Sequence, residues 1–431
     1  MLEIHGGWVI LPNYISKDSS IVVNGNRIID IGTTIEIRKK FKFSKSVGSK
    51  NAIVCPGFID THLHSPQIAT IGLTSDKSLL DWLKKYIWKW EGQMTKEQAR
   101  VCAELSYLEL LRSGVTSFVD YTSVRHTEEA FKTAKKFGLR ATIGKTMMDR
   151  NSPPELLENT EKSLKQTERL IKRWHGKENG RLRYAVTPRF GITCTDRLLK
   201  GGVALAKKYK TMITTHAHEN KNEVKLDKKN YKKSAIKHFD EIGLLGKYTL
   251  LAHGIWLDDD EIRIIAKTGT SIAHCPGSNM MLASGCAPIQ RMQQHGIRIG
   301  LGSDVGAYYN FSSFDQMRLS ILLQKVQNLD PVAFDHKKAF ELATIGGANA
   351  IGLGNEIGSL EKGKKADIVL LDGKHIVPEN DLIAQIVYCA EPNWITDVVC
   401  DGKILVKDGK VLVANENKIT ANAKKILKIK K

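Results

Sequence analysis

Two histidines separated by a single residue, His62 and His64, end an apolar stretch near the start of the chain. If this stretch is a β-strand, side chains two residues apart point to the same face, so both imidazoles converge while Leu63 points away. Neutral imidazoles that converge on one point are suitable ligands for zinc or ferrous iron. The pair by itself is weak evidence, because the same spacing also occurs without a metal.

Four later polar residues lie at or just after the ends of other apolar stretches. His216 is followed three residues later by Glu219, His253 ends the stretch Leu-Leu-Ala-His-Gly, and Asp304 ends Gly-Leu-Gly-Ser-Asp. In a closed barrel of parallel strands, the carboxyl ends of the strands meet at one mouth, where such enzymes place catalysis. We therefore expect these side chains to join the histidine pair in one metal-dependent hydrolytic site.

The elements that would position these residues form a repeated pattern. Short apolar runs rich in β-forming residues alternate with helical patterns, such as residues 156–174 and 314–324, between about residues 53 and 357. Eight such units predict an α/β fold with a (β/α)₈ TIM-type barrel. A doubly wound open sheet is the alternative, but the sequence lacks the glycine-rich turn that usually follows its first strand. The predicted strands are residues 54–62, 116–121, 140–147, 183–189, 212–218, 249–254, 271–275 and 297–304.

Both ends of the chain are rich in predicted strands that lie outside the barrel. Residues 20–32 form a hairpin pattern around Asn24, Gly25 and Asn26, and residues 366–373 and 396–412 are strand patterns broken by Asp-Gly turns. We expect the two ends to pair into one small β-sandwich domain. The predicted division is residues 1–52 and 358–431 for this domain, and 53–357 for the barrel.

Composition excludes several classes of protein. The chain has 431 residues, 42% of them hydrophobic, which is enough for a large barrel and a small accessory domain. Seven cysteines without a CxxC pair indicate reduced thiols, and the sequence shows neither a signal peptide nor the ~20 apolar residues of a membrane span. We expect a cytoplasmic protein that does not bind membranes.

The net charge of +19 has two interpretations, a nucleic-acid-binding surface or a lysine-rich solvated surface. The lysines are spread over helical stretches, and the densest cluster, residues 424–431, contains no aromatic residue. A solvated surface is the preferred interpretation, so we expect no nucleic-acid partner.

Taken together, the motifs resemble the amidohydrolase superfamily and, within it, the cytosine/guanine/triazine deaminase branch. The resemblance extends from residues 52–57 through His253-Gly254, residues 271–276 with Ser278-Asn279, and residues 300–304, to residues 358–363. It implies a homodimer and one divalent metal, zinc first and iron as the alternative. It implies that Glu219 shuttles protons and that His253 orients substrate or the attacking water. The metal ligands implied are His62, His64, His216 and Asp304.

These roles are chemically consistent with one another. A bound cation lowers the pKa of water towards ~7 and so supplies hydroxide, and Asp304 can accept the proton. Glu219 can protonate a ring nitrogen, so that attack at the adjacent carbon builds no full negative charge.

Three further residues leave alternatives open. His218 is two residues from His216, and either fits the geometry, although the family's His-x-x-Glu spacing selects His216. His274 is either a structural histidine beneath the mouth or part of the site. Some superfamily members bridge two metals with a modified lysine on the fourth strand, but Lys145 ends the third predicted strand, which favours a single metal.

The substrate is predicted from four residues beside the metal motif. By resemblance to guanine deaminases, Gln67 and Arg189 would recognise the carbonyl and ring nitrogens of a purine, Phe190 would stack on the ring, and Trp82 would cover the pocket. Arg189 could instead be a structural ion-pair residue, and Trp82 a buried helix aromatic. The first hypothesis is therefore deamination of guanine to xanthine and ammonia.

Other segments depart from the guanine deaminase pattern. Residues 306–310, 314–318 and 388–403 look like adenosine-derivative and triazine hydrolases, and residues 87–91 replace an expected Phe-Pro-Glu-Glu segment. The alternative substrates are therefore S-adenosylhomocysteine, methylthioadenosine, 8-oxoguanine, a pterin or an aminotriazine. A remote alternative is a catalytically silent basic scaffold protein.

Overall fold

The computed structural model describes residues 1–73 and 76–427. Its strands, numbered in chain order, are β1 Leu2–Ile10, β2 Ile15–Asn24, β3 Arg27–Thr33, β4 Lys45–Pro56, β5 Phe58–Leu63, β6 Val115–Tyr121, β7 Arg140–Gly144, β8 Thr146–Met147, β9 Leu182–Pro188, β10 Met212–Ala217, β11 Thr249–His253, β12 Ser271–His274, β13 Ile299–Leu301, β14 Ile368–Asp372, β15 Ile395–Cys400, β16 Lys403–Lys407 and β17 Lys410–Val411.

The α-helices of the same residues are α1 Thr34–Lys40, α2 Leu79–Trp82, α3 Trp88–Gln93, α4 Lys96–Arg112, α5 Thr127–Phe137, α6 Thr160–Trp174, α7 Asp196–Tyr209, α8 Lys221–Tyr231, α9 Ala235–Glu241, α10 Asp259–Thr268, α11 Pro276–Met281, α12 Ile289–Gln294, α13 Ser313–Asn328, α14 His336–Ala343, α15 Ile345–Ala350, α16 Leu382–Cys389 and α17 Glu416–Ile426. A π-helical turn, Leu83–Ile87, joins α2 to α3.

Parallel strands form the predicted barrel. The hydrogen-bonded order is β5-β6-β7-β9-β10-β11-β12-β13, with the short β8 beside β9. Strands such as β6 and β7 are buried along their whole length, as expected for parallel strands covered by helices. The first and last strands approach each other where the Asp304 amide donates to the carbonyl oxygen of His62 at 3.0 Å. The barrel is therefore nearly closed, which confirms the predicted fold class.

The two chain ends pair into one mixed sheet, also as predicted. Its strand order is β17-β16-β15-β14-β4-β1-β2-β3, and β14 from the C-terminal end lies antiparallel to β4 from the N-terminal end. The sheet has its own apolar core, which includes Ile4, Ile21 and Leu370. The predicted hairpin turns at Gly25, whose φ of +58° favours glycine.

The first predicted strand, residues 54–62, is wrong as a single element. Its first residues complete β4 of the terminal sheet, and the barrel strand begins at Phe58. The chain changes sheet at Gly57, where a Cβ atom would lie 2.2 Å from Thr116 Oγ1. Only glycine allows this close approach to β6, so the first barrel strand starts after Gly57 and not at residue 53.

The C-terminal segment contains helices as well as strands. α16 packs against α13 and α14, and α17 packs against α4, so both cover the outside of the barrel. The sequence analysis identified only strands in this segment, so α16 and α17 are elements that it missed. Residues 382–387 carry apolar side chains at helical spacing, which is the signal for α16.

Within the described part of the chain, none of the helices has the length and apolar character needed to cross a membrane. The predicted basic tail, residues 424–431, begins inside α17, but its last four residues lie outside the described residues.

Candidate active site

Six predicted side chains meet at the carboxyl ends of the barrel strands, and each is at most 7% exposed. The Nε2 atoms of His62 and His64 both lie 3.5 Å from Asp304 Oδ1. His64 Nε2 is 3.1 Å from His216 Nε2. The six are His62 and His64 on β5, His216 on β10, Glu219 just after β10, His253 on β11 and Asp304 just after β13.

The ring nitrogens of this cluster fit a metal ion. His64 Nδ1 donates to the carbonyl oxygen of Tyr121 at 3.0 Å, and His216 Nδ1 donates to that of Arg189 at 2.7 Å. Both Nε2 atoms are therefore acceptors, and two acceptors 3.1 Å apart repel each other unless a cation lies between them. His62 is fully buried with no hydrogen-bond partner on either ring nitrogen. Three imidazoles and one carboxylate form a donor set for zinc or ferrous iron.

Burial governs the protonation states of these ligands. Burial, followed by the neighbouring histidines, holds the pKa of His64 and His216 well below the usual value. Burial alone would raise the pKa of Asp304, but its interactions with His62 and the other histidines hold it well below the usual value. Neutral imidazoles and an ionised carboxylate are the forms that bind a metal.

Two buried aspartates to which the sequence analysis assigned no role support the strands and turns that carry the cluster. Asp60 Oδ1 accepts from the backbone N–H groups of His62 and Ser303, at 3.1 Å each, so it joins β5 to the turn after β13. Asp120 Oδ1 accepts from the N–H of Ser65 at 2.9 Å, next to His64. Burial raises the pKa of Asp60 to about 7 and that of Asp120 to about 6.

Backbone conformation at the mouth also fixes the site. Asp304, His253 and His218 have φ values of +48°, +74° and +55°, a region that residues other than glycine rarely adopt. Such conformations cost on the order of 1–3 kcal/mol each and cluster at functional sites. Here they turn the chain at or just after the ends of β10, β11 and β13.

Glu219 and His253 lie next to each other beside the cluster. Glu219 Oε2 lies 3.5 Å from His253 Nε2, and His253 Nδ1 donates to Asn279 Oδ1 at 3.1 Å. Burial, followed by the negative charge of Asp304, raises the pKa of Glu219 well above the usual value. This shift favours the protonated form of Glu219, which can act as an acid.

A narrow cavity opens directly onto these residues. Trp82 and Phe190 are each 4% exposed and belong to one apolar cluster, so Trp82 both covers the cavity and is a buried helix aromatic. A planar aromatic ring fits such a lining. The lining residues are His64, Gln67, Leu79, Trp82, Leu83, Arg189, Phe190, His216, Glu219 and Asp304.

Glu91 is a functional candidate that the sequence reasoning missed. It is 1% exposed, and it accepts from Arg189 Nη1 at 3.0 Å and from Gln67 Nε2 at 2.9 Å. Arg189 therefore forms an ion pair, as the alternative interpretation expected. Arg189 and Gln67 also line the cavity. The only sequence signal was an acid among tryptophans, Trp88-Lys89-Trp90-Glu91, in a segment that departs from the guanine deaminase pattern.

The three ambiguous residues lie in different surroundings. His218 turns away from the ligands, with Nδ1 bonded to the Trp256 carbonyl at 2.9 Å, so the structure places His216 and not His218 in the cluster. His274 is fully buried with both ring nitrogens unpaired, and burial lowers its pKa to about 3. Lys145 forms an ion pair with Glu158 at 2.6 Å, away from the ligands of the cluster.

Comparison with solved structures shows the same architecture. An adenosine deaminase from Xanthomonas campestris with bound zinc superposes with a TM-score of 0.93 at 26% identity, covering 98% of this chain and 97% of that one. E. coli guanine deaminase gives a TM-score of 0.87 at 27% identity, covering 94% of this chain and all of that one.

Sequence relatives cover nearly the same span. A 5-methylthioadenosine/S-adenosylhomocysteine deaminase from Thermococcus onnurineus is 35% identical over 390 residues, 89% of this chain and 90% of the relative. A 5′-deoxyadenosine deaminase from Methanothermobacter thermautotrophicus is 35% identical over 398 residues, 91% of this chain and 90% of the relative. The model of the amidohydrolase family matches residues 53–405. The family prediction is confirmed, and the chain belongs to the amidohydrolase family, in its deaminase branch.

Proposed function

We propose that this protein hydrolyses the 6-amino group of an adenine nucleoside with a modified 5′ position. S-Adenosylhomocysteine, 5′-methylthioadenosine and 5′-deoxyadenosine are the candidate substrates, because relatives 35% identical over nine-tenths of the chain carry those names. This substrate class was the alternative drawn from the sequence, and these relatives support it better than guanine. The observation that carries the chemistry is the buried His/Asp cluster with the buried carboxyl group of Glu219 beside it.

In this reaction the oxygen of water bonds to ring carbon C6 and the C6–N bond of the amino group breaks. One proton of the water ends on ring nitrogen N1 and the other on the departing amine, which leaves as ammonia. A divalent metal, when bound by His62, His64, His216 and Asp304, would supply an acidified water at neutral pH.

The chain's own residues carry the protons and position the base. Glu219, whose protonated form is favoured by burial, donates to N1, so that attack at C6 creates no full negative charge. The second proton of the water then returns from the oxygen on C6 to Glu219, which restores the acid. Asp304 accepts a proton from the attacking water and returns it to the leaving amine. His253, whose Nδ1 donates to Asn279, keeps Nε2 as an acceptor and orients the attacking water through it. Trp82 and Phe190 enclose the base and exclude bulk water.

The contacts to Glu91 occupy one donor of Gln67 and one donor of Arg189. The remaining donors of both side chains can serve a ring nitrogen of adenine as well as a carbonyl of guanine, so the choice of adenine rests on the sequence relatives. Guanine remains the second candidate, because E. coli guanine deaminase has the same architecture at 27% identity.

The deciding experiment measures ammonia release from a panel of adenosine, 5′-methylthioadenosine, S-adenosylhomocysteine, 5′-deoxyadenosine, guanine, 8-oxoguanine, a pterin and an aminotriazine. We expect the highest kcat/KM with a 5′-modified adenosine. A higher value for guanine would return the assignment to the guanine hypothesis. Protein carrying Glu219→Gln, purified in parallel, reports any contaminating deaminase.

Metal analysis of the purified protein tests the catalytic proposal independently. We propose zinc as the metal, because the Xanthomonas campestris relative has zinc bound, with iron as the alternative. Roughly one ion per chain is expected for a single site. Protein grown with ample metal that contains almost none would favour the silent-scaffold alternative. The homodimer and the cytoplasmic location remain predictions.

A further inference from the structure

Helix α8, which begins two residues after Glu219, is anchored in an unusual way. Its buried residues are both acidic, Glu223 at 1% and Asp227 at 0% exposure. Leu226, the largest aliphatic side chain of the helix, is 36% exposed. A surface helix normally buries an apolar stripe, so the carboxyl groups of α8 require a different explanation.

Glu223 bonds to the turn that carries Glu219. Glu223 Oε2 accepts from the Glu219 N–H at 2.8 Å and from the Asn220 N–H at 3.3 Å. In an ordinary capping box, the glutamate side chain reaches only the N-cap residue, which here is Asn220. The shorter bond goes one residue further back, to Glu219 itself.

The start of the same turn is held from the other side. The carbonyl oxygen of His218 accepts from the N–H groups of Ile255 and Trp256, at 2.9 and 3.2 Å, just after β11. Glu219 therefore lies between two fixed points, the loop after His253 and the carboxyl group of Glu223. The bonds to the His218 carbonyl oxygen hold the start of the turn, and the Glu223 carboxyl group holds the backbone N–H of Glu219.

Asp227 lies one helical turn further along α8 and makes no such bond. Both of its carboxyl oxygens lack a hydrogen-bond partner, and it packs against Gly191, where a Cβ atom would lie 2.7 Å from Asp227 Oδ1. It therefore shares the burial and helix of Glu223 but has no link to the Glu219 turn. This makes it a matched control.

We propose that Glu223 is a positioning residue for deamination, and that its side-chain oxygen holds the backbone of Glu219 so that the Glu219 carboxyl group faces the reacting ring nitrogen. The proposal rests on the proposed function of the site. It requires a side chain that reaches as far as glutamate and ends in an acceptor, and it does not require a negative charge. Burial raises the pKa of Glu223, which agrees with a neutral group at this position.

Two substitutions separate the effect of the length of the Glu223 side chain from the effect of its charge. Glu223→Gln keeps the reach and an acceptor oxygen, and we expect kcat within about 3-fold of wild type. Glu223→Asp keeps the carboxyl group but is one methylene shorter, and we expect kcat to fall by about 30- to 100-fold, the loss expected for a displacement of ~1 Å. KM, metal content and the circular dichroism spectrum should stay unchanged in both variants.

Hydrogen exchange provides a readout that does not depend on turnover. The Glu219 amide should exchange at least about 10-fold faster in Glu223→Asp than in wild type, because its acceptor is withdrawn. The rate in Glu223→Gln should match wild type. The control Asp227→Asn should leave both kcat and this exchange rate within about 3-fold of wild type.

The proposal is overturned if Glu223→Asp is as active as wild type, or if Glu223→Gln, folded and metal-loaded, loses as much kcat as Glu223→Asp. It is also overturned if Asp227→Asn slows turnover as much as Glu223→Asp, since packing of α8 would then explain the loss. If Glu223→Asp fails to fold, the kcat and Glu219 amide exchange of Glu223→Gln decide alone. Each variant is compared with wild type on the substrate that wild type deaminates fastest. If wild type deaminates none of the compounds, that result contradicts only the proposed function.

Discussion

Three histidines of the active site are each fixed by one ring nitrogen, which leaves the other ring nitrogen free for chemistry. The Nδ1 atoms of His64, His216 and His253 are bonded to Tyr121, Arg189 and Asn279, so their Nε2 atoms point into the cluster. This pre-organisation removes the need to orient the rings during the reaction. At the scale of residues, the site therefore predicts distinct results for removing a proton donor and for removing a metal.

Replacing the proton donor should stop turnover without disturbing the ligands. In Glu219→Gln the side chain keeps its shape but loses its acidic proton, so we expect kcat to fall by about 10²–10⁴-fold. Metal content should be unchanged, because Glu219 is not one of the proposed ligands. Steady-state kinetics together with elemental analysis measure both quantities.

The matched control for this variant is Glu241→Gln, on the exposed surface of α9, where the side chain pairs with Lys233. It should retain full activity. Glu219→Gln with more than a tenth of the wild-type kcat would assign the proton transfer to another group.

Removing the metal should lower both activity and stability. Without a cation, the Nε2 atoms of His64 and His216 face each other as acceptors at 3.1 Å. A metal present at ~1,000 times its Kd stabilises the folded state by about 4 kcal/mol. Dialysis against a chelator should therefore abolish ammonia release and lower Tm, and added zinc or iron should restore both. Full activity in metal-free protein would contradict the proposed ligand set.

At the scale of elements, the sequence predicted the barrel because its strands and their polar ends are local patterns. The run 249–254 ends in His253, and the strand in the structure is Thr249–His253. The break at Gly57 was missed because residues 52–65 are buried without interruption, so no polar turn separates β4 from β5. The close contact with Thr116 that requires a glycine there is a tertiary feature.

Each predicted metal ligand could also be recognised from its local sequence, because it lies at or just after the end of its own predicted strand. Partners distant in the sequence were not predictable in this way. Glu91 lies 98 residues from Arg189, and Asp60 reaches the Ser303 amide 243 residues away. These contacts depend on how the strands close into a barrel. The guanine hypothesis had the same weakness, because it treated the Arg189 guanidinium as free.

Helix α8 should make stability depend on pH through Asp227. Burial, followed by the charge of Glu223, raises the pKa of Asp227 to about 8, above its ordinary value of 3.8. The folded state then holds a proton that the unfolded state releases, so the stability from this group is fully present below about pH 4 and is lost as pH rises to about 8. Asp227→Asn should raise the free energy of unfolding by about 1–3 kcal/mol at pH 8 and by little at pH 4. Urea titrations at both pH values measure the difference, and an equal effect at both would contradict the shift.

At the scale of the whole molecule, the terminal sheet is joined to the barrel at the end opposite the active site. Arg140, the first residue of β7, donates from Nε and Nη2 to the two carboxyl oxygens of Asp367 at 2.7 and 3.0 Å, and from Nη2 to Asp401 at 3.1 Å. Arg140 and Asp367 are at most 4% exposed. A buried arginine thus links a barrel strand to the carboxylates beside β14 and β15, and both chain ends depend on it for their position.

Breaking this link should lower the free energy of unfolding, while the folded enzyme remains active. Arg140→Met leaves two carboxylates without their buried partner, which costs about 3–5 kcal/mol. Arg140 lies at the amino end of its strand, whereas functional residues lie at the other end, so kcat of the folded variant should stay within about 3-fold of wild type.

The control is Arg183→Met, which breaks the Arg183–Glu356 pair at 3.2 Å, with side chains 31% and 39% exposed. Such an exposed pair contributes about 0–1 kcal/mol to the free energy of unfolding, so the urea midpoint of Arg183→Met should barely differ from that of wild type. Equal midpoint shifts in the two variants would show that the buried pair is not what joins the terminal sheet to the barrel.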